Sequence, residues 1–189
     1  MILTDREIQI ALSRGQIKIE PEPASEAYSS TSVDLTLHER LSEFKEDFAG
    51  LAGLETSIDP GHKNFVAEQI LSRVTSPINI PAEGYLLASK KFVLGWTREK
   101  VIMPPYTRLA ARVEGKSSLA RLGLGIHITA PTIHSGFNLP IRLEIINHGY
   151  LPIRLRTGMR ICQLIFELTM GTPEKGFTAV QTAPPPELV

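Results

Sequence analysis

From Ile78 onward, short β-branched or apolar runs alternate with Gly and Pro turns at fairly regular intervals, and no other feature restricts the fold of this chain as much. Runs of that length that keep meeting turns predict an all-β sandwich or barrel. With 189 residues, 42% of them apolar, the chain can bury one sizeable core, and residues 1–189 are read as a single domain. A short helix precedes the β region. Thr4-Asp5-Arg6-Glu7 has the form of a capping box, in which Thr4 accepts from the Glu7 N–H while Glu7 returns to the cap. Ile8, Ala11 and Leu12 then form an apolar stripe, and Gly15 stops the helix. Pro21 and Pro23 mark a loop before Ser32-Val33-Asp34-Leu35-Thr36-Leu37, whose apolar residues alternate as a strand's do. Between Glu39 and Thr75 an excursion is expected: Phe65, Val66, Ile70, Leu71 and Val74 fit helical spacing, and Ser57-Ile58-Asp59-Pro60-Gly61 is a turn. There is no internal repeat.

Charge narrows the range of partners. Twenty basic and twenty acidic residues cancel, so the overall balance gives no long-range attraction to nucleic acid or to an anionic membrane. A small anionic ligand needs only local positive charge. Polar Thr4-Asp5-Arg6-Glu7 interrupts any secretory signal, and no apolar run approaches the roughly 20 residues of a membrane span. The expectation is a cytoplasmic protein. The single Cys162 lies in an apolar strand and reads as a buried, inert thiol, with no intramolecular disulfide open to it.

Glu114-Gly115-Lys116-Ser117-Ser118-Leu119-Ala120-Arg121 gathers a turn-forming glycine, two hydroxyls and two cations. Backbone N–H groups and serine hydroxyls in such a turn can wrap phosphate oxygens while Lys116 and Arg121 neutralise them. A polar hairpin turn with a solvated lysine fits the same residues. It is not a P-loop, since Leu109-Ala110-Ala111-Arg112-Val113-Glu114 has no first glycine. Further on, Ile141, Leu143 and Ile145 alternate with Arg142, Glu144 and Ile146, which puts Arg142 and Glu144 on one face of a strand. Taken alone, Glu144 is either an exposed strand residue or a catalytic carboxylate.

Several ordered blocks carry a resemblance. They are Leu3-Thr4-Asp5-Arg6-Glu7-Ile8, Ser32-Val33-Asp34-Leu35, Phe92-Val93-Leu94-Gly95-Trp96-Thr97, the run from Ala111 to Leu124, Ile126-His127-Ile128-Thr129-Ala130, and Leu155-Arg156-Thr157-Gly158-Met159-Arg160-Ile161-Cys162-Gln163-Leu164. Together they resemble the dCTP deaminase family of the dUTPase-like superfamily. The resemblance implies a distorted β-barrel or jelly-roll, a homotrimer with sites between subunits, and hydrolytic deamination of dCTP to dUTP and ammonia. It assigns Glu144 as general acid/base, with the Ser117 hydroxyl and Ala130 carbonyl orienting the attacking water, and Arg121 holding the site's charge pattern. Lys116, Ser117, Ser118, Leu119, Ala120 and Arg121 match the triphosphate cradle. Arg142, Leu143 and Glu144 fall where the family reads the cytosine ring, and Gln163 matches a further nucleotide contact. Mg²⁺ is expected to accompany the phosphates. Zinc is not: one cysteine and scattered histidines lack the H-x-E and P-C-x-x-C ligands of zinc deaminases, and His127 with His134 is too weak a pair to replace them. The remaining route is a carboxylate that takes the water's proton and returns it to the ring. Enclosure would raise the Glu144 pKa, and Arg121 or Arg142 would lower it again.

The chain departs from the family pattern in three places. His134, in Ile133-His134-Ser135-Gly136-Phe137, stands where relatives carry the aspartate that meets the deoxyribose 3′-hydroxyl and activates water in dUTPases. That exchange argues against dUTP hydrolysis. Lys116 replaces an arginine, exchanging a bidentate fork for a point charge. In the tail, residues 172–189, Phe177 stands where a tyrosine is common, and Val180-Gln181 is what remains of a Lys-Tyr-Gln signature. Gln181 is the tail's expected nucleotide contact, with Lys175 second. The tail reads either as disorder or as a lid that orders over substrate. Two alternatives to deamination stay open: a pyrophosphatase or bifunctional deaminase–dUTPase, and a non-catalytic nucleotide-binding regulator.

Overall fold

The computed structural model describes residues 1–45 and 58–177. Ser57 and the tail residues from Thr178 on, Gln181 among them, lie outside the described residues. Helix α1 (Asp5–Ser13) is followed by β1 (Lys18–Glu20), a 3₁₀ turn (Ser25–Ala27), β2 (Tyr28–Ser29) and the long strand β3 (Ser32–Phe44). Helix α2 (Ala67–Val74) leads into β4 (Thr75–Asn79), β5 (Tyr85–Leu87), β6 (Phe92–Ile102) and β7 (Leu109–Gly115). After α3 (Ser117–Ala120) come β8 (Leu124–Ile126), β9 (Thr132–Ile133), β10 (Asn138–Asn147), β11 (Ile153–Leu155) and β12 (Arg160–Leu168). The β-rich class with short helices is as expected, and the main sheet curls into a half-barrel.

Its strand order is β8-β10-β6-β3-β12-β7-β9, with a separate β11-β5 pair, and these neighbours are antiparallel. Strand β3 joins the two halves: Val33 to Thr36 pair with β12, and Leu37 to Glu43 pair with β6. Its alternate residues Leu35, Leu37 and Leu41 are fully buried together with Ile141, Leu143 and Ile145 of β10 and Phe166 of β12. Gly95 of β6 lets β3 and β10 close on one another. A Cβ there would meet Ile145 Cδ1 at 2.9 Å and Leu41 Cδ2 at 3.2 Å.

The ladder around β6 is broken by register shifts between Leu37 and Leu41 and between Pro140 and Arg142. Side chains take over at those breaks, since buried N–H groups need partners. Ile141 N donates to Thr97 Oγ1 at 2.9 Å, and the buried Glu99 carboxylate accepts from Thr36 N at 2.8 Å and Thr36 Oγ1 at 2.6 Å. Buried Asn147, at the end of β10, donates to the carbonyls of Leu87 and Leu151 and accepts from Gly149 N. It ties the β10–β11 turn to β5.

At the N-terminus the reciprocal capping box does not form. The Thr4 hydroxyl donates directly to the Glu7 carboxylate, while the Thr4 carbonyl accepts from Ile8 N at 2.9 Å. A hydroxyl engaged with the carboxylate of the same box leaves neither side chain for the backbone N–H groups. Gly15, at φ +67°, ends α1 as anticipated. In the excursion, the helical spacing corresponds to α2, and Gly61 N donates to Asp59 Oδ1 at 2.9 Å to close the turn. Cys162 is fully buried, and burial beside Glu99 and Asp34 pushes its thiol far above the ordinary value.

Candidate active site

Strand β10 has the expected alternation, and its outward face presents Arg142 and Glu144. Strand β8 lies along its other edge, with Ile126 opposite Ile145, and the chain then turns sharply at His127. His127 has φ 60°, a left-handed conformation that costs a non-glycine residue about 1 kcal/mol or more. Its contacts hold it there. The His127 N–H donates to the Glu144 carbonyl at 2.9 Å, Nδ1 lies 3.1 Å from Glu144 Oε2, and Nε2 lies 2.5 Å from the Ala130 carbonyl oxygen.

With the Ala130 carbonyl at Nε2 and the Glu144 carboxylate at ion-pair distance from Nδ1, though not hydrogen-bonded to it, the surroundings of His127 favour its cationic form. Burial opposes that charge, but the Glu144 carboxylate and the Ala130 carbonyl outweigh it and hold the imidazole above its ordinary value. Burial likewise pushes Glu144 up, and the His127 partner outweighs it, leaving the carboxyl below its ordinary value. This corrects the expectation that Arg121 or Arg142 supplies the lowering influence. Arg142 is turned elsewhere: Nη1 and Nη2 donate to Glu68 of α2 at 2.6 and 3.2 Å, and the guanidinium lies 5.7 Å from the Trp96 ring centre.

His127 also lines a pocket of about 190 Å³ whose walls include Trp96, Ala130, His134, Arg142 and Phe177. Phe177 is fixed by its N–H, which donates to the Ser135 carbonyl at 2.6 Å, and by its ring, 5.2 Å from that of Phe137. The structure thus brings His134 and Phe177, two of the anticipated contacts, to the same pocket as Arg142. Leu143 points the other way into the core, so only its backbone is left for a ligand.

The anticipated cradle follows β7. Ser117, Ser118 and Ala120 are exposed along the single turn of α3, with Arg121 exposed after it and Leu119 packed inward against the core. Lys116 is directed differently from the expectation. Its Nζ lies 2.5 Å from Oδ1 of buried Asp34, whose Oδ2 lies 3.7 Å from Arg160 Nη1. Both ends of the Gln163 amide are engaged within the chain, Oε1 accepting from Ser32 Oγ at 2.9 Å and Nε2 donating to the Gly115 carbonyl at 3.2 Å. Gln163 therefore buttresses the turn that leads into the cradle. Gly123, at φ +94°, closes that segment, and a Cβ there would come within 2.6 Å of Gly149 Cα.

Sequence reasoning missed His127, which it weighed only as a zinc ligand, along with Trp96 and Glu68. The usable signal for His127 was its place three residues before Ala130, a spacing that lets the ring fold back onto that carbonyl. Among the described residues no group of three or more His, Cys, Asp or Glu is placed to hold a metal ion.

This architecture has counterparts among known proteins. A crystal structure of 2′-deoxycytidine 5′-triphosphate deaminase from Agrobacterium tumefaciens superposes with a TM-score of 0.66 at 22% identity, covering 88% of this chain. The match spans 48% of that longer chain, and it defines a shared fold. Sequence likeness goes further. A protein of Rhodospirillum rubrum named dCTP deaminase is 36% identical over 97% of this chain and 90% of its own length. One of Methanobrevibacter smithii named dCTP deaminase, dUMP-forming, is 37% identical over 91% of this chain and 82% of its own. The family described as dCTP deaminase-like matches residues 2–169, and the chain belongs to that family.

Proposed function

We propose that this protein hydrolyses dCTP to dUTP and ammonia. The observation that carries this reading is the Glu144 carboxylate 3.1 Å from the ring of His127, which itself lines an aromatic-walled pocket, in a chain of this family. His127, held above its ordinary value, and Glu144, held below its own, favour the ionised carboxylate, which is the state a proton acceptor needs. Glu144 takes a proton from water as the oxygen attacks C4 of the cytosine, and passes it to the ring nitrogen. The C4–N bond then breaks, ammonia leaves with the second proton, and the oxygen remains as the uracil carbonyl. Trp96 and Phe177 offer flat apolar walls to the ring. The Ala130 carbonyl aligns the attacking water once substrate releases it from His127, together with the Ser117 hydroxyl. Ser117, Ser118 and Arg121 take the phosphates, and Mg²⁺ enters as part of the substrate because the described residues offer it no cage of their own.

The protein works as a homotrimer in this reading. Leu122, Tyr150 and Leu151 are 66%, 93% and 79% exposed beside the cradle, an apolar surface that a neighbouring subunit would cover.

A second reading takes its cue from the name of the Methanobrevibacter smithii relative, dCTP deaminase, dUMP-forming; for this chain it would mean that dCTP yields pyrophosphate as well as ammonia. His134 at the pocket wall, in place of an aspartate, weighs against it. Incubating the purified protein with Mg²⁺ and dCTP, dUTP or dCMP, and measuring ammonia and pyrophosphate, separates the two. Ammonia from dCTP without pyrophosphate is expected. Pyrophosphate from dCTP or dUTP supports the second reading, and binding without either product leaves a nucleotide-binding regulator.

A further inference from the structure

Arg142 and Glu144 share the outer face of β10 two residues apart, a separation of roughly 6 to 7 Å along the strand. An arginine side chain easily spans that gap. Left to itself, Arg142 would form an ion pair with Glu144 and compete with His127 for it. Two contacts prevent this. Glu68 receives both terminal nitrogens of Arg142, and the Trp96 ring supports the guanidinium from the neighbouring strand. The Glu68 and Arg142 side chains are only 22% and 20% exposed, so water screens the pair weakly.

We infer that Glu68 is a positioning residue of the active site, holding the Arg142 guanidinium against Trp96 and away from Glu144. The role deepens the deamination assigned to Glu144 above and rests on it. Every element around Glu144 is consistent with it. The turn after β8 presents His127, β10 itself presents Arg142, β6 places apolar Leu94 and Trp96 opposite Glu144 and Arg142, and α2 presents Glu68. Among the described residues Glu144 thus keeps His127 as its cationic neighbour. The helix carrying Glu68 belongs to the excursion between β3 and β4, which gives that insertion a task at the site. Arg142 in turn serves as a fixed wall of the pocket.

The test is a carboxyl NMR titration of Glu144, which needs no turnover, in wild type, Glu68→Ala and the double variant Glu68→Ala/Arg142→Met. Freed in Glu68→Ala, Arg142 swings to Glu144 and lowers its pKa by about one unit. The double variant returns the titration to the wild-type position although it too lacks Glu68. With dCTP, the acid limb of kcat/KM in Glu68→Ala moves in parallel with that shift and its plateau falls about tenfold, because a less basic carboxylate is a poorer proton acceptor. Ionisations of the nucleotide are common to all three proteins and cancel. A Glu68 that only docks α2 would lower Tm in both variants and leave the Glu144 titration unmoved, which overturns the inference, as does an equal shift in the double variant. Absence of ammonia from wild type instead overturns the deamination reading, and the titration still decides the role of Glu68.

Discussion

At the scale of single residues, the proposed chemistry depends on Glu144 as proton acceptor and on the His127 imidazole beside it. Replacing Glu144 by Gln keeps the shape and removes the basic site, so kcat for dCTP should fall by about a thousandfold while calorimetric affinity stays within a few-fold of wild type. Undiminished ammonia release would contradict the role given to Glu144. The same pair makes stability depend on pH. His127 is raised above its ordinary 6.5, so its contribution is complete below that value and lost as pH climbs through the folded-state pKa. Glu144 is depressed below 4.5, so its contribution is complete above that value and lost as pH falls through the folded-state pKa. Both are present between those limits. The Tm deficit of His127→Gln should therefore be larger near about pH 5.5 than near about pH 8.5, as thermal melts would read. The outward position of Glu144 beside Arg142 was legible in the sequence from strand alternation, whereas the role proposed for it came from the family resemblance. The direction of Arg142 was not legible, because the Glu68 that captures it is 74 residues away in the chain.

At the scale of elements, close approach between strands carries as much information as the side chains they display. Gly95 sits where β3 and β10 converge on β6, with neighbours inside 3.4 Å of any added methyl group. Gly95→Ala should cost about 2 kcal/mol in denaturant unfolding, since the packed Ile145 and Leu41 cannot all withdraw. An unchanged midpoint would mean that the sheet relaxes there freely. Alternation and punctuation made the strands from Ile78 onward readable, and the helical spacing of Ile70, Leu71 and Val74 made α2 readable. The Thr97 and Glu99 contacts at the register breaks were hidden, since bulge positions depend on which strands meet. The turn at Lys116 shows a similar limit. Glycine, lysine and serines mark a cradle, yet the Asp34 that Lys116 faces belongs to a strand 82 residues earlier.

For the molecule as a whole, the exposed Leu122, Tyr150 and Leu151 are the surface that the proposed trimer would cover. Sedimentation should give a mass three times that of the 20.9 kDa chain, whereas a monomer at working concentration would remove the basis for sites between subunits. Among the described residues no helix is long and apolar enough to cross a membrane. Strand β3 gives the architecture a further property. Its first residues bear Asp34, which anchors the phosphate-side lysine, and its later ones pair with β6, the strand that supplies Trp96 to the pocket. In the proposed binding mode one continuous backbone therefore acts as the keel to which both ends of a nucleotide's berth are fastened, so a slip anywhere along it would pull the base and phosphate halves out of alignment together.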